Sequence, residues 1–173
     1  HRGEAAIRLG GNLFFPATEK EEQRKRELVD GVDSLFTRRS YMSRGIKMLS
    51  LDRIPAETWE KWAEDCQSCG GCCYVCPTCS CFTIADRETG PDTCVRERIW
   101  DSCLYAGFTR EASSHNPRAA AGERLKRRFF HKMSFQYIER MGRHGCVGCG
   151  RCVTACMGGL DISNLLSRIK DVI

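Results

Sequence analysis

Cys66-Gln67-Ser68-Cys69-Gly70-Gly71-Cys72-Cys73-Tyr74-Val75-Cys76-Pro77 recurs in outline as Cys146-Val147-Gly148-Cys149-Gly150-Arg151-Cys152-Val153-Thr154-Ala155-Cys156. Both runs space four cysteines as C-x2-C-x2-C-x3-C, and the second begins 80 residues after the first. This is the spacing with which a chain wraps a 4Fe–4S cubane. Three cysteines at x2 spacing reach three corners of one cubane from a single loop, and the fourth points away. In proteins that hold two such clusters, the fourth cysteine ligates the other cluster. Cluster one is then expected to take Cys66, Cys69, Cys72 and Cys156. Cluster two is expected to take Cys146, Cys149, Cys152 and Cys76. Ligands exchanged in this way cross-link the two loops through metal, so the apo-protein is expected to be badly destabilised.

Composition agrees with this reading. The chain has 173 residues and 13 cysteines, an odd number with eight of them in the two runs. A disulfide framework fits poorly, since cysteines at x2 spacing within one turn converge on a metal more readily than they pair. No secretory signal is seen, and a reducing compartment, the cytoplasm, is expected. A single zinc would use only four of the eight. The formal charge of +5 counts thiols as neutral. Each cubane with four thiolates adds roughly −2, which brings the loaded chain to roughly +1. Nucleic-acid binding is not expected, because the basic residues are mixed with acids and not interleaved with aromatics. No apolar stretch is long enough for a membrane span. The chain starts at His1 and not at Met, which suggests a fragment or a processed chain.

The spacing of apolar residues predicts helices around the two runs. Residues 1–17 read as irregular, with Gly3, Gly10, Gly11 and Pro16 as punctuation. Thr18-x-x-Glu21 is a capping box, and Leu28, Val32, Leu35 and Phe36 share one face of the helix it opens. Residues 37–54 read as a connecting arm anchored by Tyr41, Ile46, Met48, Leu49 and Leu51. Pro55 opens a short helix through Trp59, Trp62 and Ala63. A helix is predicted over Thr93–Tyr105, with Val95, Ile99, Cys103 and Leu104 inward. Asn116-Pro117 is predicted to start a long helix striped by Leu125, Phe129, Met133, Tyr137 and Met141, and a last helix covers Ser163–Val172. Phe82-Thr83-Ile84 is the best strand candidate, and a short one. The expected fold is all-α, in two parts: an N-terminal helical arm over residues 1–54, the end of a larger region, and a cluster-bearing domain over residues 55–173.

Five stretches carry a more specific likeness. They are Cys76-Pro77-Thr78-Cys79-Ser80-Cys81-Phe82, Trp100-Asp101-Ser102-Cys103, His115-Asn116-Pro117-Arg118, Arg128-x-x-His131-Lys132, and Cys146-Val147-Gly148-Cys149-Gly150-Arg151-Cys152. In this order they resemble the dicluster iron–sulfur subunit family, which comprises the beta subunit of soluble nickel–iron sulfhydrogenases and the corresponding iron–sulfur subunit of anaerobic sulfite reductases. The resemblance covers roughly residues 55–165. It implies a helical ferredoxin-like domain that relays single electrons in a hetero-oligomer, between a flavin subunit handling NAD(P)H and a catalytic subunit. Met157 stands where this family usually has Pro after the last cysteine.

Gly70 and Gly150 occupy equivalent places, where glycine allows a tight turn and brings N–H groups to the sulfurs. Arg151 faces Gly71 across the repeat, which predicts the higher potential for cluster two. Cys73, Cys79, Cys81, Cys94 and Cys103 lie outside the eight. The bland reading makes them small buried apolar residues. The sharper one builds a third metal site from Cys79, Cys81, Cys94 and Cys103, the basis of an alternative function: an enzyme with an open cluster that reduces a sulfur compound. A redox sensor is a further alternative. Arg124, Lys126, Arg127, Arg128, His131 and Lys132 form either a solvated helix face or a surface that docks an acidic partner or neutralises cluster charge. His115 and His131 are expected to make local hydrogen bonds. Trp59, Trp62 and Trp100 are expected to be core or interface anchors. No phosphate loop or dinucleotide fingerprint is found, so flavin and nicotinamide belong to other subunits.

Overall fold

The computed structural model describes residues 2–36 and 41–172. His1 and residues 37–40 of the predicted arm lie outside the described residues. The chain divides into two compact units, residues 1–39 and 40–173.

In the first unit, α1 spans Arg2–Leu9 and α2 spans Glu19–Leu35. The helix α1 replaces the expected irregular segment. Its alanines favour helix, and Glu4 in the first turn and Arg8 in the last complement the helix dipole. The capping box forms as predicted: the Thr18 hydroxyl accepts from the Glu21 N–H at 3.3 Å, and the Thr18 N–H donates to the Glu21 carboxylate at 2.7 Å. The apolar face of α2 is not buried: Leu28, Val32 and Leu35 are all exposed.

The second unit is built on α3 (Met42–Ser50), α4 (Ala56–Ala63), α6 (Ala121–Met133) and α9 (Ile162–Lys170). Helix α6 packs against α3 and α4, and α3 also packs on α9. Trp59 stacks on Phe129 with ring centroids 6.4 Å apart, and Trp62 meets Trp59 edge-on at 5.2 Å. Leu125, Met133, Leu165 and Ile169 close this core. The predicted stripes of α4 and α9 are thus buried as expected. Asp161 caps α9 by accepting from the Ser163 and Asn164 N–H groups.

The fold is not all-α. Between the short helices α5 (Gly71–Tyr74) and α6 lies an antiparallel hairpin of β1 (Phe82–Gly90) and β2 (Thr93–Trp100). It replaces the helix predicted over Thr93–Tyr105. Val95, Ile99 and Cys103 are four apart, which mimics a helix face. Thr93, Val95, Glu97 and Ile99 also alternate on one side of a strand, and three of these four are β-branched. Cross-strand ion pairs of Arg87 with Glu97 (2.6 Å) and Arg96 with Asp86 (2.7 Å) are consistent with the register, although such exposed pairs contribute little. Trp100 is 64% exposed, so it anchors no core within this chain.

The predicted long helix is also shorter and broken. It begins at Ala121 because Asn116 is engaged elsewhere: its side chain donates to the Ala106 carbonyl and accepts from Thr109 and the Arg118 N–H, bracing the loop before α6. At Ser134 the backbone turns extended, and the serine hydroxyl caps a new helix, α7 (Phe135–Met141). Met141 consequently leaves the inward stripe and is exposed.

Candidate metal centre

The two cysteine runs share one backbone trace. Gly70 (φ +73°) and Gly150 (φ +75°) adopt the left-handed conformation and each caps a short helix, α5 and α8 (Arg151–Ala155). One step earlier in each repeat, Ser68 (φ +49°) and Gly148 (φ +66°) do the same. Left-handed residues alternating with right-handed ones turn successive N–H groups toward one concave face. Such a face is a nest for an anion, and many iron–sulfur sites use it. The functional reason for Gly150 is legible in the sequence, whereas the strain at Ser68 is not.

The α5 and α8 turns pack against each other. Cys66, Cys69, Cys72 and Cys156 line one common cavity. The end of the second run is therefore seated on the first. The Leu160 N–H donates to the Cys156 sulfur at 3.1 Å. Gly158 lies so close to the Asp65 carbonyl that a Cβ has no room, and Arg168 pairs with Asp65 at 2.7 Å.

Cys76 is held to the other run through Thr78. The Thr78 hydroxyl donates to the Gly145 carbonyl (2.5 Å), lies 3.3 Å from the Cys76 sulfur and accepts from the Lys132 ammonium (3.0 Å). Burial pushes the Cys76 thiol up, but Thr78 and the charge of Lys132 outweigh it and bring it down to about 7. Cys146 and Cys152 are half-buried and Cys149 is exposed. None of the 13 cysteines is in a disulfide. Among the described residues, no three His, Cys, Asp or Glu side chains converge as ligands of one metal ion, and cubane ligands are instead spread over four irons.

The basic stretch does not form a solvated face. Arg124, Arg128 and Lys132, each four apart, are buried alongside the apolar stripe of α6. Arg124 is structural, donating to the carbonyls of Leu104, Arg118 and Ala119. Arg128 is different. It is 2% exposed, its Nε and Nη1 have no hydrogen-bond partner, and it lines the cavity of Cys66, Cys69, Cys72 and Cys156. Burial opposes its charge, yet the sulfurs of Cys72, Cys73 and Cys152 beside it hold its pKa above the ordinary arginine value. A buried guanidinium without a carboxylate calls for another anion, and a thiolate-bound cubane at roughly −2 supplies one. The donor set, the nests and the orphaned cation all fit this group. The sequence signal for Arg128 is its i+4 relation to Arg124 and Lys132, which is compatible with a solvated face and with a buried one. Arg151 is exposed, so the charge argument for unequal potentials passes from it to Arg128.

His131 is half-buried next to Arg127 and Lys132. Burial first, then these charges, push it down to about 4, so it is neutral at pH 7. His115 is exposed, and Met157 is exposed as well.

The turn geometry gives a direct test. Gly150 has open space where a Cβ would go, so Gly150→Ala carries only backbone strain, about 1–2 kcal/mol. Ser68→Gly relieves similar strain and adds chain entropy of only about 0.5–1 kcal/mol, leaving a net change between zero and a modest gain. Anaerobic urea unfolding of the loaded protein is expected to show Gly150→Ala weakened and Ser68→Gly as stable as the parent or up to about 1 kcal/mol more stable.

Two packed cysteine turns, each with two left-handed residues and set beside a buried arginine, mark a candidate iron–sulfur centre. Comparison with known proteins agrees: the model of a family described as "4Fe-4S dicluster domain" matches residues 65–160, and the chain belongs to that family. The chain is also 28% identical over 170 residues to the protein named sulfhydrogenase 2 subunit beta of Pyrococcus furiosus, an alignment that covers 98% of this chain. The chain spans about half (50%) of that relative's length. No solved structure matches. Among the described residues, no helix is long and apolar enough to cross a membrane.

Proposed function

We propose that this chain is an electron-relay subunit of a multisubunit cytoplasmic oxidoreductase. It passes single electrons between a flavin subunit that handles NAD(P)H and a catalytic subunit of the nickel–iron hydrogenase or sulfite-reducing kind. The observation that carries this reading is the seating of Cys156 in the cavity of the first run, which holds the two cluster sites against each other. Two 4Fe–4S clusters, when bound, supply one-electron uptake and release. Cys66, Cys69, Cys72 and Cys156 hold one of them, and Cys146, Cys149, Cys152 and Cys76 hold the other. Arg128 offsets their negative charge, and the Leu160 N–H on the Cys156 sulfur stabilises the reduced state. The cytoplasmic assignment rests on 13 unpaired cysteines. The hetero-oligomer is supported by the relative's name as a subunit.

The relay makes a clear prediction. The full chain, reconstituted anaerobically, is expected to take one electron per cubane from dithionite and pass it to a viologen dye. It is not expected to turn over hydrogen, sulfite or polysulfide by itself. Steady consumption of any of the three by the isolated chain would replace the relay with the enzyme reading.

A further inference from the structure

Four of the five cysteines outside the eight come together, and they are not the four that the sequence suggested. Cys94 lies opposite Glu88 near the tip of the hairpin and is exposed. Its place is taken by Cys73. The Cys73 and Cys103 sulfurs are 3.9 Å apart, both in the buried core. Cys79 lies beside Cys73, and Cys81 beside Cys103. The sulfurs thus run in a string, Cys79–Cys73–Cys103–Cys81. Two of these residues are brought together by the sheet. The Asp101 N–H donates to the Cys81 carbonyl at 3.0 Å, and Phe82 pairs with Trp100, so the open end of the hairpin sets Cys81 against Cys103.

Three of the four, Cys79, Cys81 and Cys103, line a cavity of about 420 Å³. That volume is in the range of pockets for drug-sized ligands and ample for a compact inorganic cluster. Its cationic wall is Arg128, Lys132 and Arg143. Arg128 also lines the cavity of Cys66, Cys69, Cys72 and Cys156, so one buried and unpartnered guanidinium lies between both places. Four half-buried or buried sulfurs facing two buried cations, with no acid among the cavity's lining residues, make an unsuitable core and a suitable thiolate site.

We infer that Cys73, Cys79, Cys81 and Cys103 hold a third iron–sulfur cluster, beside the two of the repeated runs and on the far side of Arg128 from cluster one. It relies on the two-cluster reading only for the baseline of an iron count. If that reading fails, the clusters of Cys66–Cys76 and Cys146–Cys156 are missing. If this inference fails, they are present and nothing else is.

The test uses the full chain reconstituted anaerobically, with iron, sulfide and zinc measured per chain and the intact holo-protein weighed by native mass spectrometry. About ten to twelve irons are expected, against about eight for two cubanes alone. The double variant Cys79→Ser, Cys81→Ser is expected to fall to about eight and to keep the EPR signals of both cubanes. Cys94→Ser is expected to change nothing. Eight irons in the parent, or a double variant with an unchanged count, would overturn the inference. One zinc per chain that disappears in the double variant would overturn its iron–sulfur chemistry. If the double variant does not fold, the mass of the parent decides alone.

Discussion

Cys156→Ser is expected to empty the cluster of the first cysteine run, 80 residues upstream, and to spare the cluster of its own run. The reason is where residue 156 sits. It lines the same cavity as Cys66, Cys69 and Cys72. The segment after it is pinned there: Gly158 abuts the Asp65 carbonyl, and Arg168 pairs with Asp65 at 2.7 Å. Reciprocally, Thr78 ties the Cys76 loop to Gly145, next to Cys146, so Cys76→Ser should empty the cluster of the second run. Each change should remove about four irons, and Cys69→Ser should erase the same EPR signal as Cys156→Ser. Cys149→Ser should erase the other signal, the one lost in Cys76→Ser. If Cys156→Ser instead shared its lost signal with Cys149→Ser, each run would hold its own cluster and the exchange of ligands would be refuted. The same geometry explains why loss of all metal should unfold much more than the two turns. Each cubane is a cross-link between distant segments, and structural metal sites contribute folding energy directly.

The parts of this site that are legible in the sequence are those written in local spacing. Cysteines at fixed intervals, glycine where the backbone must turn left, and Thr18 three residues before Glu21 all act within one turn. What is hidden depends on which long-range partner a segment finds. The β2 segment carries a helix-like period of four and a strand-like period of two together, and pairing with β1 decides in favour of the strand. That one difference has a consequence for chemistry. A helix over 93–105 would hold Cys94 on the same element as Cys103, about two and a half turns away. The hairpin instead moves Cys94 to the tip and brings Cys81 to Cys103. The basic stretch of α6 is ambiguous for a related reason. Arg124, Arg128 and Lys132 lie one position before the apolar stripe of Leu125, Phe129 and Met133, a place that can face solvent or the core, and the packing of α4 and α3 on that stripe decides that Arg128 and Lys132 turn toward sulfur. Ser134 is invisible as a helix break, because serine caps a helix only where the preceding backbone has already turned extended.

Arg128→Met should move stability and potential in opposite directions. A guanidinium that is 2% exposed with two nitrogens unpartnered costs free energy wherever no cluster faces it. Replacing a buried charge by an apolar side chain of similar size is commonly neutral or stabilising by about 1–4 kcal/mol. The apo-protein of the variant should therefore unfold at equal or higher urea concentration than the parent apo-protein. The loaded protein should respond differently. With one positive charge removed at ~6 Å from a cluster, an effective dielectric of about 20 gives about 3 kcal/mol, or roughly 120 mV for one electron. Reduction adds negative charge, so losing the cation makes it harder, and the midpoint potential should fall on the order of 100 mV. Arg128→Lys keeps the charge but not the fork, and should recover most of that shift. The cation–π contact of Arg128 with Phe129, at 4.8 Å, would be lost in both states and cannot produce opposite signs. Potentiometric EPR of the three proteins, with cluster content measured alongside, decides the matter. Equal potentials at full iron content would mean that Arg128 faces no cluster, and its burial would need another anion to explain it.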